Sequence, residues 1–536
     1  MPFIKLRKMV YDSDGAIVSG SAALCDTQYI PGQKYHSRQI IRERLGKVLW
    51  MSEDRRTGIF LSPERGLIQY SANSDTFSEV KRTDERLPKE ELFPQPPVHT
   101  IFGDVFFIYS YLQNSPLLEA LKEAFFSKKD LERVLIHLFY TISRDGSHIH
   151  CDDFMRRSFL SRIFTNIPLS SLRSDTIYFK MLGDDETKLA FFKSYVKVMR
   201  KINPDFGKGC YVDSTPLPND IDDNPFNALC CHGVGSSTVQ TRLVLVLDEA
   251  TDLPVWYSVI PGNVIDLNTI INVMEDVKTT LDIEISSLVL DAGYASKEII
   301  RAYHIGTKKK IIVRCPFKRG YGADTAYKRV KSMIFKGKYS FVRNRHVYFG
   351  HRIETQLFGE PVYYYIYVDK NNALQRQRDN LLKNVDRFGK LCNEDKDWEE
   401  VKGGFFILIS NQEMKPKDLL DRYFDRVDIE MTFRTIKEYL ALLPLSKWTD
   451  QTVKGKILSD IISLIVYTGI RQKIAPTGES MTTVFGRATS LMCFTDKNGT
   501  THIETPNKQI KDYAKAMELT IPGTLKTSSL VSELLE

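Results

Sequence analysis

The sequence predicts an α/β protein: a mixed sheet flanked by helices, interrupted by a β-rich insertion and preceded by a mixed, then helical, N-terminal region. Three observations predict it. From Lys208 onward, short apolar runs alternate with stretches of helical periodicity. Between Lys308 and Arg352 that alternation gives way to a segment of different composition. From Ile101 to Ile202, apolar residues recur at helical spacing instead.

The bulk properties narrow the class. At about 150 residues per domain, 536 residues suggest about three or four structural units. With 42% apolar and 26% charged residues, disorder and collagen-like repetition are excluded. The net charge of +7, from 74 basic and 67 acidic residues, excludes a polycation but allows a local basic face. Eight cysteines without a C-x-x-C pair speak against a zinc ribbon or thioredoxin-type site, and predict reduced thiols in a cytoplasmic compartment. No apolar signal core follows the basic start. The most apolar stretch, Ile461 to Ile470, is about half the length needed to cross a bilayer and reads as a buried helix.

Element by element, residues 1–95 mix β-like runs such as Thr57 to Leu61 with a helix expected over Ser37–Leu45. Lys81 to Pro97 ends in Pro-Gln-Pro-Pro and reads as a linker. Residues 96–204 carry helices over Pro116–Phe125, Leu131–Ile142 and Ala190–Met199. There, Pro168 to Asp175 precedes a short helix ending near Gly183, either ordinary packing or part of a helix-turn-helix. Residues 205–314 open with Cys210 to Asp213, a short strand ending in a carboxylate. Arg242–Leu247 and Val255–Ile260 make an antiparallel hairpin, and Asp266 starts a helix reaching Leu281. Ser287–Leu290 is a strand closing on Asp291, followed by a helix near Ser296–Tyr303 and a strand over Lys310–Arg314. Residues 315–402 form the insertion. Over Lys308–Arg352, 14 cations face one acid, Asp324, interleaved with aromatics, so the rest of the chain sums to −6. In 403–475 the α/β pattern resumes with a strand over Gly404–Ser410, a long helix from Pro416 to Leu440, and an apolar helix over Lys454–Ile474. The tail, 476–536, gives weak signals.

The helix after Pro416 is the most informative stretch. At about 100° per residue, Tyr423, Arg426, Glu430, Arg434 and Lys437 fall within an arc of about 80°, beside an apolar stripe of Leu420, Phe424, Val427 and Met431. On charge pattern alone this is a salt-bridged surface helix, since Arg426, Glu430 and Arg434 are four apart. The strand ends add weight to a site. Asp213 and Asp291 each follow an apolar strand, where carboxylates of α/β active sites commonly sit. Three carboxylates from two strands and a helix suit a pair of magnesium ions that clamp the two oxygens of a phosphoryl displacement.

Tyr423, Arg426, Glu430 and Lys437 match Y-x2-R-x3-E-x6-K, and the sequence therefore resembles the bacterial DDE insertion-sequence transposases that carry this signature. Val212-Asp213-Ser-Thr and Leu290-Asp291-Ala-Gly-Tyr294 resemble that family's two aspartate motifs, and Pro261-Gly-Asn263 with Asp266 its segment ahead of the second. The resemblance spans residues 205 to about 475. It implies a ribonuclease H-like core with a β-rich insertion before the glutamate helix. It also implies that Asp213, Asp291 and Glu430 bind two Mg²⁺ ions, with Mn²⁺ able to substitute. Tyr423, Arg426 and Lys437 would contact the DNA around the scissile phosphate, with Arg434 on the same face. The implied partners are double-stranded DNA, both terminal inverted repeats and target, and a second copy of the chain in a synaptic homodimer. The implied location is the bacterial cytoplasm, at the nucleoid. Terminal-repeat recognition by residues 1–95 is analogy alone.

Other residues are weighed against this reading. His148-Ile-His150-Cys151-Asp152-Asp153 lacks a partner pair at ligand spacing and reads as a polar loop, and Cys230-Cys231-His232 as structural or incidental. Asp220, Asp222 and Asp223 read as solvated loop residues, and Trp256 as sheet core. The basic insertion, with Lys328, Arg329 and Lys331 at its centre, is expected to be a DNA surface. Its aromatics equally suit the core of a small β-subdomain. Three functions remain: a transposase that cuts and joins, a catalytically inactive or repurposed transposon-derived DNA-binding protein, and a nuclease that does not join. The intact triad favours the first.

Overall fold

The computed structural model describes residues 2–11, 17–29, 37–81, 84–87, 99–143, 147–219, 221, 224, 226–229, 239–264, 266–383, 398, 400–496, 499–526, 529–530 and 533–534. Two compact units emerge, Met1–Thr187 with Lys454–Glu536, and Lys188–Val453.

The first unit begins with six antiparallel strands paired in chain order: β1 (Phe3–Tyr11), β2 (Ile17–Tyr29), β3 (Ser37–Met51), β4 (Thr57–Ser62), β5 (Gly66–Ser71) and β6 (Thr76–Glu79). Leu24, Leu45, Val48, Phe60, Ile68 and Tyr70 form their core. The helix expected over Ser37–Leu45 is therefore a strand. Its local preference yields to pairing with β2 from Tyr29↔Ser37 to Ser21↔Lys47, a tertiary contact that a short window cannot register.

After β7 (His99–Ile101) the chain is helical, over Gly103–Gln113, Leu117–Ala124, Lys128–Ser143, Thr176–Leu182 and Asp185–Ile202. The short helix expected before Gly183 ends there, with the Gly183 amide donating to the Phe179 carbonyl. The His148 to Asp153 run is not a loop. It forms a 3-10 turn and the start of the helix Cys151–Arg157. His148 is buried with its Nδ1 3.0 Å from that of His137, whose ring stacks on Tyr178 at 3.9 Å. Burial, and then the nearby Arg133, pushes the His137 pKa down to about 3, so its ring packs here uncharged.

The second unit is organised by one large sheet. Its strands are β8 (Gly209–Pro218), β9 (Ala228–Leu229), β10 (Val239–Asp248), β11 (Pro254–Pro261), β12 (Ser287–Leu290), β13 (Lys310–Arg314), β14 (Ser340–Arg343), β15 (His346–Leu357), β16 (Glu360–Asp369) and β17 (Phe405–Ser410). Their order is β11-β10-β8-β12-β13-β17-β16-β15-β14, with β9 paired to β10. β10 is antiparallel to both β8 and β11, whereas β12 is parallel to β8 and β13. Strands covered on both faces need continuous apolar runs, and these have them: Leu243 to Leu247, Leu288 to Leu290 and Ile311 to Val313 are all inaccessible. Trp256 lies in this core, edge-on to Phe192 at 5.0 Å.

The insertion is not a separate subdomain. Its strands β14 to β16 extend the same sheet, because β16 pairs with β17 and β17 with β13. Several of its aromatics are packing groups: Tyr327 meets Phe405 at 5.2 Å and Trp398 at 4.8 Å, and Phe335 meets Phe349 at 5.3 Å.

The chain then returns to the first unit. The helix Asp450–Ile474 contains the expected apolar segment, and no helix among the described residues is long and apolar enough to cross a membrane. The tail is more ordered than its sequence suggests. β18 (Met492–Thr495), β19 (Thr500–Ile503) and β20 (Thr524–Lys526) form a sheet in which β18 pairs with β7. Cys25, Cys151, Cys210, Cys315 and Cys493 are buried and free. Asp220, Asp222, Asp223, Cys230, Cys231, His232 and most of the expected linker lie outside the described residues.

Candidate active site

Three elements of the second unit bring the expected residues together. Asp213 lies in the middle of β8, which runs on to Pro218 rather than stopping at the carboxylate. It does so because β10 continues to pair with it as far as Gln240↔Pro218. β12 accompanies β8 only to Leu290↔Val212, so its last residue places Asp291 beside Asp213.

The third element is broken. The helix expected over Pro416–Leu440 is two helices, Pro416–Asp425 and Val427–Arg434, followed by a π-helical turn over Thr435–Tyr439. The break at Arg426 shifts the buried stripe. Leu419, Leu420 and Tyr423 are buried before it, and Ile429, Phe433 and Ile436 after it. Met431, expected in the stripe, is exposed. A single 100° arc therefore does not describe the whole segment. An ion pair holds the first helix: Arg422 bonds Glu249 on the β10–β11 turn and donates to Ser287 Oγ at 2.5 Å.

Arg426 is the centre of the site. Its Nη1 donates to Asp213 Oδ2 at 2.8 Å, and its Nη2 lies 3.6 Å from Asp291 Oδ1 and 3.8 Å from Glu430 Oε1. One guanidinium thus touches all three carboxylates. The guanidinium also lies 5.5 Å from the centre of the Tyr423 ring, whose hydroxyl donates to Asp291 Oδ1 at 3.3 Å. Side-chain exposure rises from 20% at Asp213 to 42% at Asp291 and 62% at Glu430, so the cluster opens to solvent on the Glu430 side.

Burial works against the Arg426 charge, but Tyr423, Asp213, Asp291 and Glu430 together outweigh it and hold its pKa above the ordinary value. Burial likewise raises the Tyr423 hydroxyl, with Arg426 opposing. Lys437 donates to Thr215 Oγ1 at 2.6 Å, two residues beyond Asp213. Its pKa is lowered, first by burial and then by the Arg242 charge, with Glu438 partly offsetting them. Arg434 is exposed and makes no contact with this cluster among the described residues. Lys328 and Arg329 are exposed on the insertion helix Ala323–Ile334, and Lys331 is half-buried there.

Sequence reasoning missed Arg242, Ser214 and Thr215. Arg242 reaches from β10 to donate to Ser214 Oγ at 2.5 Å. A lone arginine in an apolar strand was the available signal, since only a polar destination explains one there.

A family model described as a transposase DDE domain matches residues 205–465. That stretch is similar to a transposase DDE domain. All three carboxylates, Tyr423, Arg426 and Lys437 lie inside it, as does the whole insertion. Among solved structures, one similar chain comes from a cryo-EM structure of a piggyBac transposase synaptic complex with hairpin DNA. It is 10% identical, with 83% of this chain and 88% of that one covered and a TM-score of 0.37. No curated protein matches the sequence.

The matched stretch offers only oxygen donors at its carboxylate cluster, the donor type of hard divalent cations. Among the described residues, no three His, Cys, Asp or Glu side chains are close enough to share one ion. Arg426 lies among the carboxylates and supplies the positive charge there.

Proposed function

We propose that the protein is a DNA transposase that cleaves transposon ends and joins them to target DNA, using Asp213, Asp291 and Glu430 as the ligands of two divalent ions, magnesium or manganese. The observation that carries this reading is the meeting of three carboxylates, from β8, β12 and a helix some 140 residues downstream, around one guanidinium. The sheet supports it too. Three antiparallel strands (β11, β10, β8) followed by two strands parallel to β8 (β12, β13) have the order expected of a ribonuclease H-like core.

The chain's own residues divide the remaining work. Two ions at the carboxylates would supply Lewis-acid charge to the attacking and leaving oxygens of an in-line displacement. Arg426, once released from the carboxylates, is placed to meet a nonbridging phosphate oxygen, for which its planar fork is suited. Tyr423 orients Asp291 through its hydroxyl, and Lys437 adds a second cation two residues along β8. Hydrolysis would free a 3′-hydroxyl, which would then attack target DNA at the same carboxylates. The N-terminal region would read the ends, and a second copy of the chain would complete the synaptic complex.

The test uses DNA from either side of this reading frame, where matching inverted repeats would identify the ends. Asp213→Asn, Asp291→Asn and Glu430→Gln should each abolish Mg²⁺-dependent cleavage while preserving end binding and the melting temperature. Wild-type-like cutting by any one of them removes that residue from the site. A wild-type protein that binds the ends but never cuts them would be a repurposed DNA-binding protein. One that cuts but yields no joined product from precleaved ends would be a nuclease.

A further inference from the structure

The sheet of β1 to β6 contains a two-stranded ribbon that its packing does not explain. β1 accompanies β2 only between Phe3↔Cys25 and Tyr11↔Ile17, and β4 accompanies β3 only from Lys47 to Met51. Between them, Asp26 to Tyr29 pair with Ile40 to Ser37 and, among the described residues, have no third strand on either side. Among the described residues, no strand pairs with the outer edge of β3 from Ser37 to Gly46. The four terminal pairs span about 13 Å at roughly 3.3 Å per residue. Two register shifts in the β2–β3 ladder, between Ala22 and Ala23 and between Leu24 and Cys25, add to its twist.

An isolated hairpin of this kind is marginal in water, and an open edge invites unwanted pairing. Its side chains point to a purpose. Arg38 on the ribbon and Arg44 next to it, where β1 still flanks β2 at Lys5↔Ala23, are exposed and make no hydrogen bond or ion pair among the described residues, whereas Arg42 between them is held by Asp75 at 2.8 Å. Ile40 and Ile41 are exposed at 44% and 43%. Over Ser37–Lys47 four cations face one acid, Glu43.

We infer that the β2–β3 ribbon is a DNA-reading element that enters the major groove of duplex DNA. The inference rests on the DNA-processing reading above and names the element that would recognise the ends. The major groove, about 12 Å wide, admits a two-stranded ribbon. Arginines with no acidic partner suit guanine edges or phosphates, and exposed isoleucines suit thymine methyl groups. A nucleic acid supplies anionic complements for both arginines along its whole length, whereas a protein partner would have to place an acid at each.

The full-length Arg38→Gln/Arg44→Gln variant should bind duplexes taken from either side of the reading frame more weakly than wild type. The slope of log affinity against log salt should fall by about 0.9 for each phosphate left without a cation, and affinity should drop on the order of tenfold or more at 0.1 M salt. Wild-type protein should protect guanine N7 from methylation in these duplexes, and the variant should not. The Arg38→Lys/Arg44→Lys variant keeps the charge and should keep the salt slope while losing the guanine protection, which also covers a glutamine variant that fails to fold. Exposed Arg55, on the turn between β3 and β4, is the control. Arg55→Gln should change neither readout, and an equal loss there overturns the assignment to the ribbon. If wild type binds and cuts these duplexes while both double variants behave like it, the ribbon inference fails and the transposase reading stands. If wild type binds none of them, both fail.

Discussion

Arg426 lies within 4 Å of three carboxylates while mostly buried, which makes it both a structural counter-charge and a candidate phosphate ligand. Its replacement separates the two roles. In Arg426→Gln, three carboxylates face one another without a cation, so the melting temperature should fall in chelator and recover in part when Mg²⁺ is added. Wild type should gain less from Mg²⁺, and equal gains would show that Arg426 does not neutralise this cluster. Cleavage should drop by roughly 10²–10³, the usual loss when one preorganised stabilising group at a transition state is removed. Lys437 behaves differently. Its lowered folded pKa means that the unfolded chain holds the proton more tightly, so this group makes stability rise with pH between the folded value and the unfolded one near 10.5. Below that window the buried charge is a burden. Lys437→Met should therefore melt no lower than wild type at pH 7 while binding end DNA more weakly. A marked loss of stability would show instead that its bond to Thr215 matters more than its desolvation. In wild type, end binding should weaken as pH rises through the lowered Lys437 pKa, and Lys437→Arg should remove that alkaline limb. Asp213 and Asp291 stood out because each follows an apolar run, and Glu430 because of its helical spacing from Tyr423, Arg426 and Lys437. Thr215 and Arg242 did not, because a hydroxyl and a single strand cation acquire meaning only from what lies opposite.

At the scale of elements, pairing partners decided what the sequence left open. The strands β8, β10, β11, β12 and β13 were readable from apolar runs bounded by turns, and the helices from their periodicity. Ser37–Leu45 was not, since Ile40, Ile41 and Leu45 fit a helical spacing as well as a bulged strand, and the choice is made by β2. The break at Arg426 was hidden for a related reason. A helix that must bury Tyr423 on one side and Ile436 on another changes phase, and residue spacing alone assumes that it does not. The junction into β17 carries a sharper constraint. A Cβ on Gly404 would collide with the Asp369 carbonyl oxygen at the end of β16, and that oxygen belongs to the backbone and has little room to move. Gly404→Ala should destabilise the protein by about 2 kcal/mol or more, read as a lower denaturation midpoint. An unchanged midpoint would mean that the β16–β17 junction relaxes freely.

Across the whole molecule, charge and topology are distributed unevenly, and the insertion shows how. Its strands continue the sheet that holds the carboxylates, so the insertion is a lateral extension of the core rather than an appendage. Its excess of cations is also smaller than the composition suggests. Arg343 pairs with Asp421 at 2.8 Å, Arg352 with Glu413 at 2.6 Å and Lys309 with Glu284 at 3.2 Å, all acids contributed from outside the basic segment. Those pairs are internal ties. Lys328 and Arg329, exposed on the helix Ala323–Ile334, have no ion pair among the described residues and remain available to a polyanion. Two sets of substitutions should therefore differ in kind. Neutralising Lys328, Arg329 and Lys331 together should weaken DNA binding across sequences and flatten the salt dependence by about 0.9 for each phosphate no longer neutralised, with little change in melting temperature. Neutralising Arg343 should do the reverse, lowering the melting temperature by loosening β14 from the helix Pro416–Asp425 while leaving the salt slope near its wild-type value. If the first set binds end DNA with unchanged affinity and slope, the basic face is a solubilising surface and the DNA path lies elsewhere on the molecule.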